Sequence, residues 1–262
     1  MSKTLLVTGA TDGIGLATAR TLVEKGHRVL LHGRNAQKLE QVYAELKKRG
    51  TVESYQADLA DFQQVKNLAE NIKNHHQNLD VIINNAGVYK IADPSTPQGL
   101  DVRFVVNALS PYLLTQGLMP LLSEGARIVN VSSAAQSTVS LSALKGESVL
   151  QDMEAYAQSK LALTMWSQHL GEELKKQNIV VVAVNPGSLL ATKMVKEGFG
   201  VAGSNINQGS DILVSAALSK TFNSAFGKYF DNDSGHFSAP HQDASDPDKV
   251  EKVIQHLAQL LS

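Results

Sequence analysis

Residues 4–15 read Thr4-Leu5-Leu6-Val7-Thr8-Gly9-Ala10-Thr11-Asp12-Gly13-Ile14-Gly15. A short apolar run enters a glycine-spaced turn, and a helical pattern follows over residues 14–25, closed by Gly26. This is a strand, a tight exit and a helix start. Gly9 permits the sharp exit, and Thr8 is placed to tie the turn to neighbouring backbone. Gly13 and Gly15 lie where N–H groups at a helix start meet an anion, helped by the positive end of the helix dipole. Thr11, Asp12 and Ile14 complete this pyrophosphate-binding candidate. The spacing is G-x-x-x-G-x-G, not G-x-G-x-x-G, so the signal comes from its place between strand and helix.

Outward from this turn the alternation repeats. Strands are predicted at Val29-Leu30-Leu31, around Val52-Tyr55, at Val81-Ile82-Ile83, at Arg127–Val131, at Ile179–Val184 and at Lys228-Tyr229-Phe230. Helices are predicted over 35–49, 62–74 behind an Asp61 cap, about 100–122, about 152–177, and after Asp246-Pro247 at the C-terminus. Short apolar strands between amphipathic helices imply a parallel sheet covered on both faces. The expectation is a single α/β domain over 1–262, a doubly wound sheet of about seven strands with ligands at the strands' carboxyl ends. Residues 134–151 and 188–208 are long excursions on that edge, expected to be functional. They carry Leu141, Leu144, Leu189, Leu190, Met194, Val195 and Phe199, which suggest a medium to large, partly apolar substrate or packing against the domain.

The end of the second strand bears on cofactor choice. An acidic residue there would bind ribose hydroxyls, and a basic one would pair with a 2′-phosphate. The chain reads His32-Gly33-Arg34-Asn35. Arg34 is a forked phosphate donor, so NADP(H) is preferred, with NAD(H) possible and Asp12 arguing mildly against the phosphate. The alternative for Arg34 is a solvated residue at a helix start. Asp58 and Leu59 follow the third strand, where Asp58 could bond the adenine amine. Asn84-Asn85-Ala86-Gly87 closes the fourth, where small residues let a cofactor lie against backbone.

Tyr156-Ala157-Gln158-Ser159-Lys160 places a phenol and an ammonium on one helix face. Tyrosine titrates at about 10 when free. A positive charge about 4 Å away is worth about 4 kcal/mol at an effective dielectric of 20, enough to lower the phenol by roughly three units. Tyr156 would then be a competent proton donor, with Lys160 lowering its pKa and bonding the nicotinamide ribose. The motif alone is cheap, since Tyr43-Ala44-Glu45-Leu46-Lys47 repeats it on the adenine side, where it reads as packing plus a solvated lysine. Ser133 would polarise the substrate oxygen, with Ser132 as competitor because adjacent strand residues face opposite ways. Asn107 would anchor a water chain to Lys160 or else lie on a helix surface. Asn185-Pro186-Gly187 makes a rigid exit under the nicotinamide, and Thr192 is a candidate for the carboxamide.

Composition narrows the remaining classes. With 24 basic and 25 acidic side chains the net charge is −1, so no bulk field recruits nucleic acid or an anionic membrane. Cysteine is absent, which excludes disulfides, thiolate metal sites and cysteine nucleophiles. His75-His76 read as surface residues at a helix end, and no histidine pair has metal spacing, so no metal is expected. No apolar run approaches a membrane span, and no signal peptide is evident. The expectation is a soluble, cytoplasmic protein.

In this order along about residues 4–230, Thr8-Gly9-x-x-x-Gly13-x-Gly15, Asn84-Asn85-Ala86-Gly87, Asn107, Ser133, Tyr156-x-x-x-Lys160 and Pro186-Gly187 resemble the short-chain dehydrogenase/reductase family. The resemblance implies a Rossmann fold, a catalytic tetrad of Asn107, Ser133, Tyr156 and Lys160, and hydride transfer between a nicotinamide and a small-molecule carbonyl or alcohol. It also implies a homodimer or homotetramer. The long spacing from Ser133 to Tyr156, the Ala155–Ala162 pattern and His32-Gly33-Arg34-Asn35 look like the retinol dehydrogenase-like branch. Two features depart from the pattern. Thr192 stands one residue later than usual, and that branch's membrane anchors are not seen, so a retinoid substrate does not carry over. The rival reading is a non-catalytic NADP(H)-binding regulator or sensor, which would keep the glycine turn and have no use for Tyr156.

Overall fold

The computed structural model describes residues 2–261, except the side chain of Phe199. Five strands and their crossovers come first: β1 (Thr4–Val7), α1 (Gly13–Glu24), β2 (Arg28–Gly33), α2 (Ala36–Leu46), β3 (Val52–Gln56), α3 (Phe62–His75), β4 (Val81–Asn84), then α4 (Val102–Phe104), a π-helical turn (Val105–Leu109), α5 (Ser110–Leu118) and β5 (Arg127–Val131). The second half holds α6 (Leu141–Leu144), α7 (Asp152–Leu174), β6 (Val180–Asn185), α8 (Lys193–Phe199), α9 (Ile206–Leu218), β7 (Lys228–Asp231), β8 (His236–Ser238) and α10 (Pro247–Leu261).

One sheet contains all the strands, in the order β3-β2-β1-β4-β5-β6-β7-β8. All pairs are parallel except β7 with β8. The order reverses between β1 and β4, and that switch point opens a crevice at the strands' carboxyl ends. Alternate strand residues feed opposite layers: Leu6 and Ile128 face one core cluster, and Leu5, Val7, Val129 and Val131 the other. Burial on both faces explains why these strands are uninterrupted apolar runs.

The sheet has eight strands where about seven were expected. The extra one, β8, has only three residues, too few for a periodic signal. It is held by aromatic packing: Phe237 sits opposite Phe230 in the ladder, and Phe222 completes the group, with ring centroids 5.1–5.2 Å apart. The helix expected over about 100–122 is interrupted by the π-turn at Val105–Leu109. His76 is a further correction, because it is a buried link rather than a surface residue. Its Nε2 lies 3.0 Å from Tyr55 Oη and 3.1 Å from Glu53 Oε2.

Candidate active site

The glycine turn is held from both sides. Thr8 Oγ1 accepts the N–H groups of Asn85 and Ala86, both at 3.0 Å. Asn85 Nδ2 donates to the carbonyls of Thr8 and Gly9 at 2.8 and 3.2 Å. Gly9 has φ +65°, and an added Cβ would lie 3.0 Å from Ala86 Cα. At Gly15 an added Cβ would come 2.3 Å from both Asn85 Nδ2 and Gly9 O, so this glycine lets β4's exit touch the turn. At Gly13 the nearest atom would be Thr192 Cγ2 at 3.7 Å, so the helix start stays open above the turn. Thr11 packs on Gly33, and Ile14 lies beside Gly209 at the start of α9.

His32 is the part of this cradle that sequence reasoning passed over. It is buried, with Nδ1 accepting the Gly9 N–H at 3.3 Å and Nε2 3.1 Å from the Ala57 carbonyl. Burial drives its pKa down to about 4. The neutral ring therefore accepts at Nδ1 and donates at Nε2, joining the ends of β1, β2 and β3.

The charges around the turn alter the expectation for Asp12. It caps α1 by accepting the Gly13 N–H at 2.8 Å, and it pairs with Lys38 Nζ at 3.1 Å. Partial burial opposes ionisation, but the Lys38 and Gly13 contacts outweigh it and hold the carboxyl below its ordinary range. Asp12 is thus a neutralised cap rather than a bare repulsive charge. Arg34 is mostly exposed, and its Nη1 lies 3.9 Å from Asp58 Oδ2. Asn35 spends its side chain capping α2 through the Lys38 N–H, at 2.9 Å. Asp58 Oδ1 accepts the Ala60 N–H, and the Leu59 side chain belongs to the core. The open turn, the two forward cations and the small Ala86-Gly87 exit fit an anionic dinucleotide lying along the switch point.

The chemical end is assembled from four segments. The Ser133 side chain interacts with the Tyr156 phenol and favours its ionised form, whereas Ser132 Oγ is buried against Thr164 Oγ1 at 2.7 Å. The pleat thus turns the two serines to opposite sides. Lys160 is buried, donates to the Val131 carbonyl at 2.7 Å, and has Nζ 5.7 Å from the Tyr156 ring centroid. Asn107 is buried in the π-turn rather than on a helix surface. Its Oδ1 accepts the Val88 N–H, and its Nδ2 donates to the Val88 carbonyl and Ser159 Oγ. Gly87 lies between the two: an added Cβ there would be 3.3 Å from Asn107 Oδ1 and 3.5 Å from Lys160 Nζ.

Electrostatics correct one expectation. In the protein itself burial raises the Tyr156 pKa, the Ser133 hydrogen bond opposes that rise, and Tyr89 adds to it. Lys160 does not offset this rise, and burial lowers its own pKa to about 8. The decoy pair gives a similar distance, with Lys47 Nζ 5.1 Å from the Tyr43 centroid. Burial of the lysine, not cation–ring geometry, separates the two motifs.

A family model described as short chain dehydrogenase matches residues 3–200. The chain belongs to the short-chain dehydrogenase family. It falls in the retinol dehydrogenase-like branch, being 36% identical to human retinol dehydrogenase 11 over 196 residues and 35% identical to human polyprenol dehydrogenase over 198. Each match covers 71% of this chain, and the chain spans about three-fifths of each relative, 61% and 60% respectively. Among solved structures, a short chain dehydrogenase from Burkholderia cenocepacia in complex with NADP aligns with TM-score 0.70 and 26% identity, covering 88% of this chain and 95% of that one. The landomycin C-6 ketoreductase LanV, bound to NADP and rabelomycin, aligns with TM-score 0.70 and 29% identity, covering 88% and 94%.

In this member of the short-chain dehydrogenase family the two excursions differ. In the first, Leu144 is buried and Leu141 packs on the same core, so these residues support the domain rather than line a substrate cleft. The second is pinched at its base, where Ala191 N–H donates to Ser204 O and Ser204 N–H to Leu189 O, at 2.8 and 2.7 Å. Leu189 takes a left-handed φ of +50° at this pinch. Leu190 is buried, Met194 and Val195 are partly buried, and the Phe199 side chain lies outside the described residues. Thr192 sits above Gly13, but its hydroxyl caps α8 through the Val195 N–H at 3.2 Å. Gly187 has φ +120°, and the Pro186 carbonyl accepts from Asn232 Nδ2 at 2.9 Å.

Three supporting residues escaped the sequence. Arg103 is buried and joins Asp101, at 2.6 and 2.9 Å, to Asp152 in the first turn of α7, the helix that carries Tyr156 and Lys160. Tyr229 Oη donates to the Ser133 carbonyl at 3.1 Å, and Gln136 Nε2 donates to the same oxygen at 2.8 Å. Their only sequence signal was an arginine and a tyrosine inside otherwise apolar elements. Among the described residues no group of acidic and histidine side chains could hold a metal ion, and no helix is long and apolar enough to cross a membrane.

Proposed function

We propose that this chain is an NADP(H)-preferring oxidoreductase working on a carbonyl/alcohol pair, with Tyr156 as general acid and base. The observation that carries the reading is the chain of neighbours Asn107 and Lys160 at Gly87, Lys160 by the Tyr156 ring, and Ser133 by the Tyr156 phenol, at the strands' carboxyl ends. When bound, a nicotinamide supplies or accepts the hydride. Tyr156 Oη donates its proton to the oxygen that gains charge during reduction, and takes it back during oxidation. Ser133 Oγ holds that same oxygen by hydrogen bonding. Lys160, one helical turn further along α7 with Nζ 5.7 Å from the phenol ring centroid, would favour the phenolate once the proton has left. Asn107 fixes Val88 and Ser159 and so sets the distance between β4's exit and α7.

Arg34 supports the NADP(H) preference, as a mostly exposed cation that directly follows β2, with Lys38 in the first turn of α2 as a second positive charge. Gly9–Gly15, Asp58, Asn85–Gly87, Pro186, Gly187 and Thr192 complete the proposed cofactor contacts. A medium to large, partly apolar substrate is supported by exposed Leu189 and Val201 on the second excursion and by Met153, one turn before Tyr156. The retinol and polyprenol named for the relatives are apolar alcohols of this class. A cytoplasmic homodimer or homotetramer completes the reading, and light scattering tests the assembly.

The deciding experiment is a paired titration with NADPH and NADH, followed by NADPH oxidation against aldehydes, ketones and quinones. Tighter NADPH binding with turnover on any compound supports the reading. Tight binding without turnover on a broad panel favours the sensor, and no binding overturns the cofactor assignment.

A further inference from the structure

Tyr89 follows the β4 exit directly and is buried. Its ring meets Tyr156 edge-on, with centroids 5.4 Å apart at 66°. From the opposite direction α8 brings Gly198 onto the same ring. An added Cβ at Gly198 would lie 2.5 Å from Tyr89 Cε1 and 2.6 Å from Cδ1, closer than any real contact. Gly198 is inside a helix and has no positive φ, so backbone conformation does not call for glycine there. A helix-interior glycine is ordinarily unfavourable relative to alanine. Its place is explained by the space the Tyr89 ring occupies.

We propose that Tyr89 is a positioning residue for Tyr156, and that Gly198 is the complementary notch through which the 189–204 excursion seats on it. The excursion also approaches Gly13 through Thr192, and its Leu190 meets Gly209 of α9, which itself lies beside Ile14. The seat on Tyr89 therefore ties the roof of the proposed substrate site to the phenol that transfers the proton. This inference rests on the reading of Tyr156 as the proton-transfer residue.

The test is a double-mutant cycle of Gly198→Ala and Tyr89→Leu, with Tyr89→Phe as the ring-preserving variant. Gly198→Ala alone is expected to lower Tm, against the helix-propensity trend, and to cut kcat by about 10- to 100-fold through misplacement of reacting groups. In the Tyr89→Leu background the same substitution should raise Tm and leave kcat within about two-fold of Tyr89→Leu itself, because the two residues couple only by contact. Tyr89→Phe should recover most of the kcat that Tyr89→Leu loses. Equal effects of Gly198→Ala in both backgrounds, or no recovery with Tyr89→Phe, overturn the proposal.

An ultraviolet titration of Tyr156, taken as the difference from Tyr156→Phe, serves as a readout that needs no turnover. It should move to lower pH in Tyr89→Leu, because Tyr89 helps raise that phenol. An unchanged titration overturns the positioning role even in an active enzyme. If the wild-type protein turns over no carbonyl compound, the functional reading falls, while the Tm cycle and this titration still decide whether Tyr89 holds Tyr156.

Discussion

Asn107 grips Val88 at both ends of its peptide: Oδ1 accepts the Val88 N–H at 2.8 Å and Nδ2 donates to the Val88 carbonyl at 2.9 Å. The same Nδ2 reaches Ser159 Oγ at 2.9 Å, next to Lys160. Asn107→Leu removes all three contacts and leaves buried backbone groups unpaired. The expected cost is about 2–4 kcal/mol of stability, measured by urea unfolding, with turnover falling further than the unfolded fraction explains. Stability within error of wild type would remove Asn107 from this role.

Tyr156→Phe keeps the ring and its packing on Tyr89 while deleting the proton. Turnover should fall by about 10²- to 10⁴-fold, with NADPH binding little changed in a fluorescence titration. Near-normal turnover would end the proposed chemistry.

Lys160 is held in a site that disfavours its charge, with a pKa of about 8 against 10.5. The unfolded chain therefore binds more protons between these values, so this residue's contribution to stability rises with pH across that window and is least favourable below pH 8. Lys160→Met should raise stability at neutral pH by up to about 3 kcal/mol while abolishing turnover. Differential scanning calorimetry decides the first point, and a lower Tm at pH 7 would contradict it.

His32 works in the opposite range. Its folded pKa of about 4 lies below the ordinary 6.5, so the neutral ring's contribution is fully present above pH 6.5. It is lost as pH falls toward 4, to the extent of about 3 kcal/mol. Denaturant unfolding between pH 7 and 4 should show this slope. His32→Asn should flatten it, and a slope unchanged in that variant would assign acid lability to other groups.

Arg34→Ala should weaken NADPH binding by about 10- to 100-fold, as for one charge-assisted hydrogen bond. NADH binding should change little. Equal loss for both cofactors would make Arg34 a structural partner of Asp58 rather than a phosphate reader.

The parts of this molecule that were legible in sequence are those set by local rules. Val29-Leu30-Leu31 and Val81-Ile82-Ile83 announce buried strands because both faces of the sheet are covered. Gly9 and Gly13 announce a turn because few other residues accept their backbone, and Gly15 because a side chain there would strike the turn itself. What stayed hidden depends on encounters across the chain. Arg103 means little until Asp152 arrives at it from 49 residues away. His32 looked like part of a cofactor pattern, and its link to Gly9 and Ala57 exists only once three strands align. The Tyr156 pKa was misjudged because a distance was assumed where burial dominates.

The pinch between Leu190 and Ser204 makes the intervening stretch a cassette. Its two ends are pegged by main-chain bonds, which any side chains can supply. Replacement of the interior keeps the loop closed at its base, while its contacts to Gly13 through Thr192 and to Tyr89 through Gly198 have to be rebuilt. Under the proposed function, substrate choice drifts by trading one roof for another, while the machinery beneath keeps its register. In the laboratory, the same frame is a site for grafting foreign roofs, with Gly198 as the position each graft must respect.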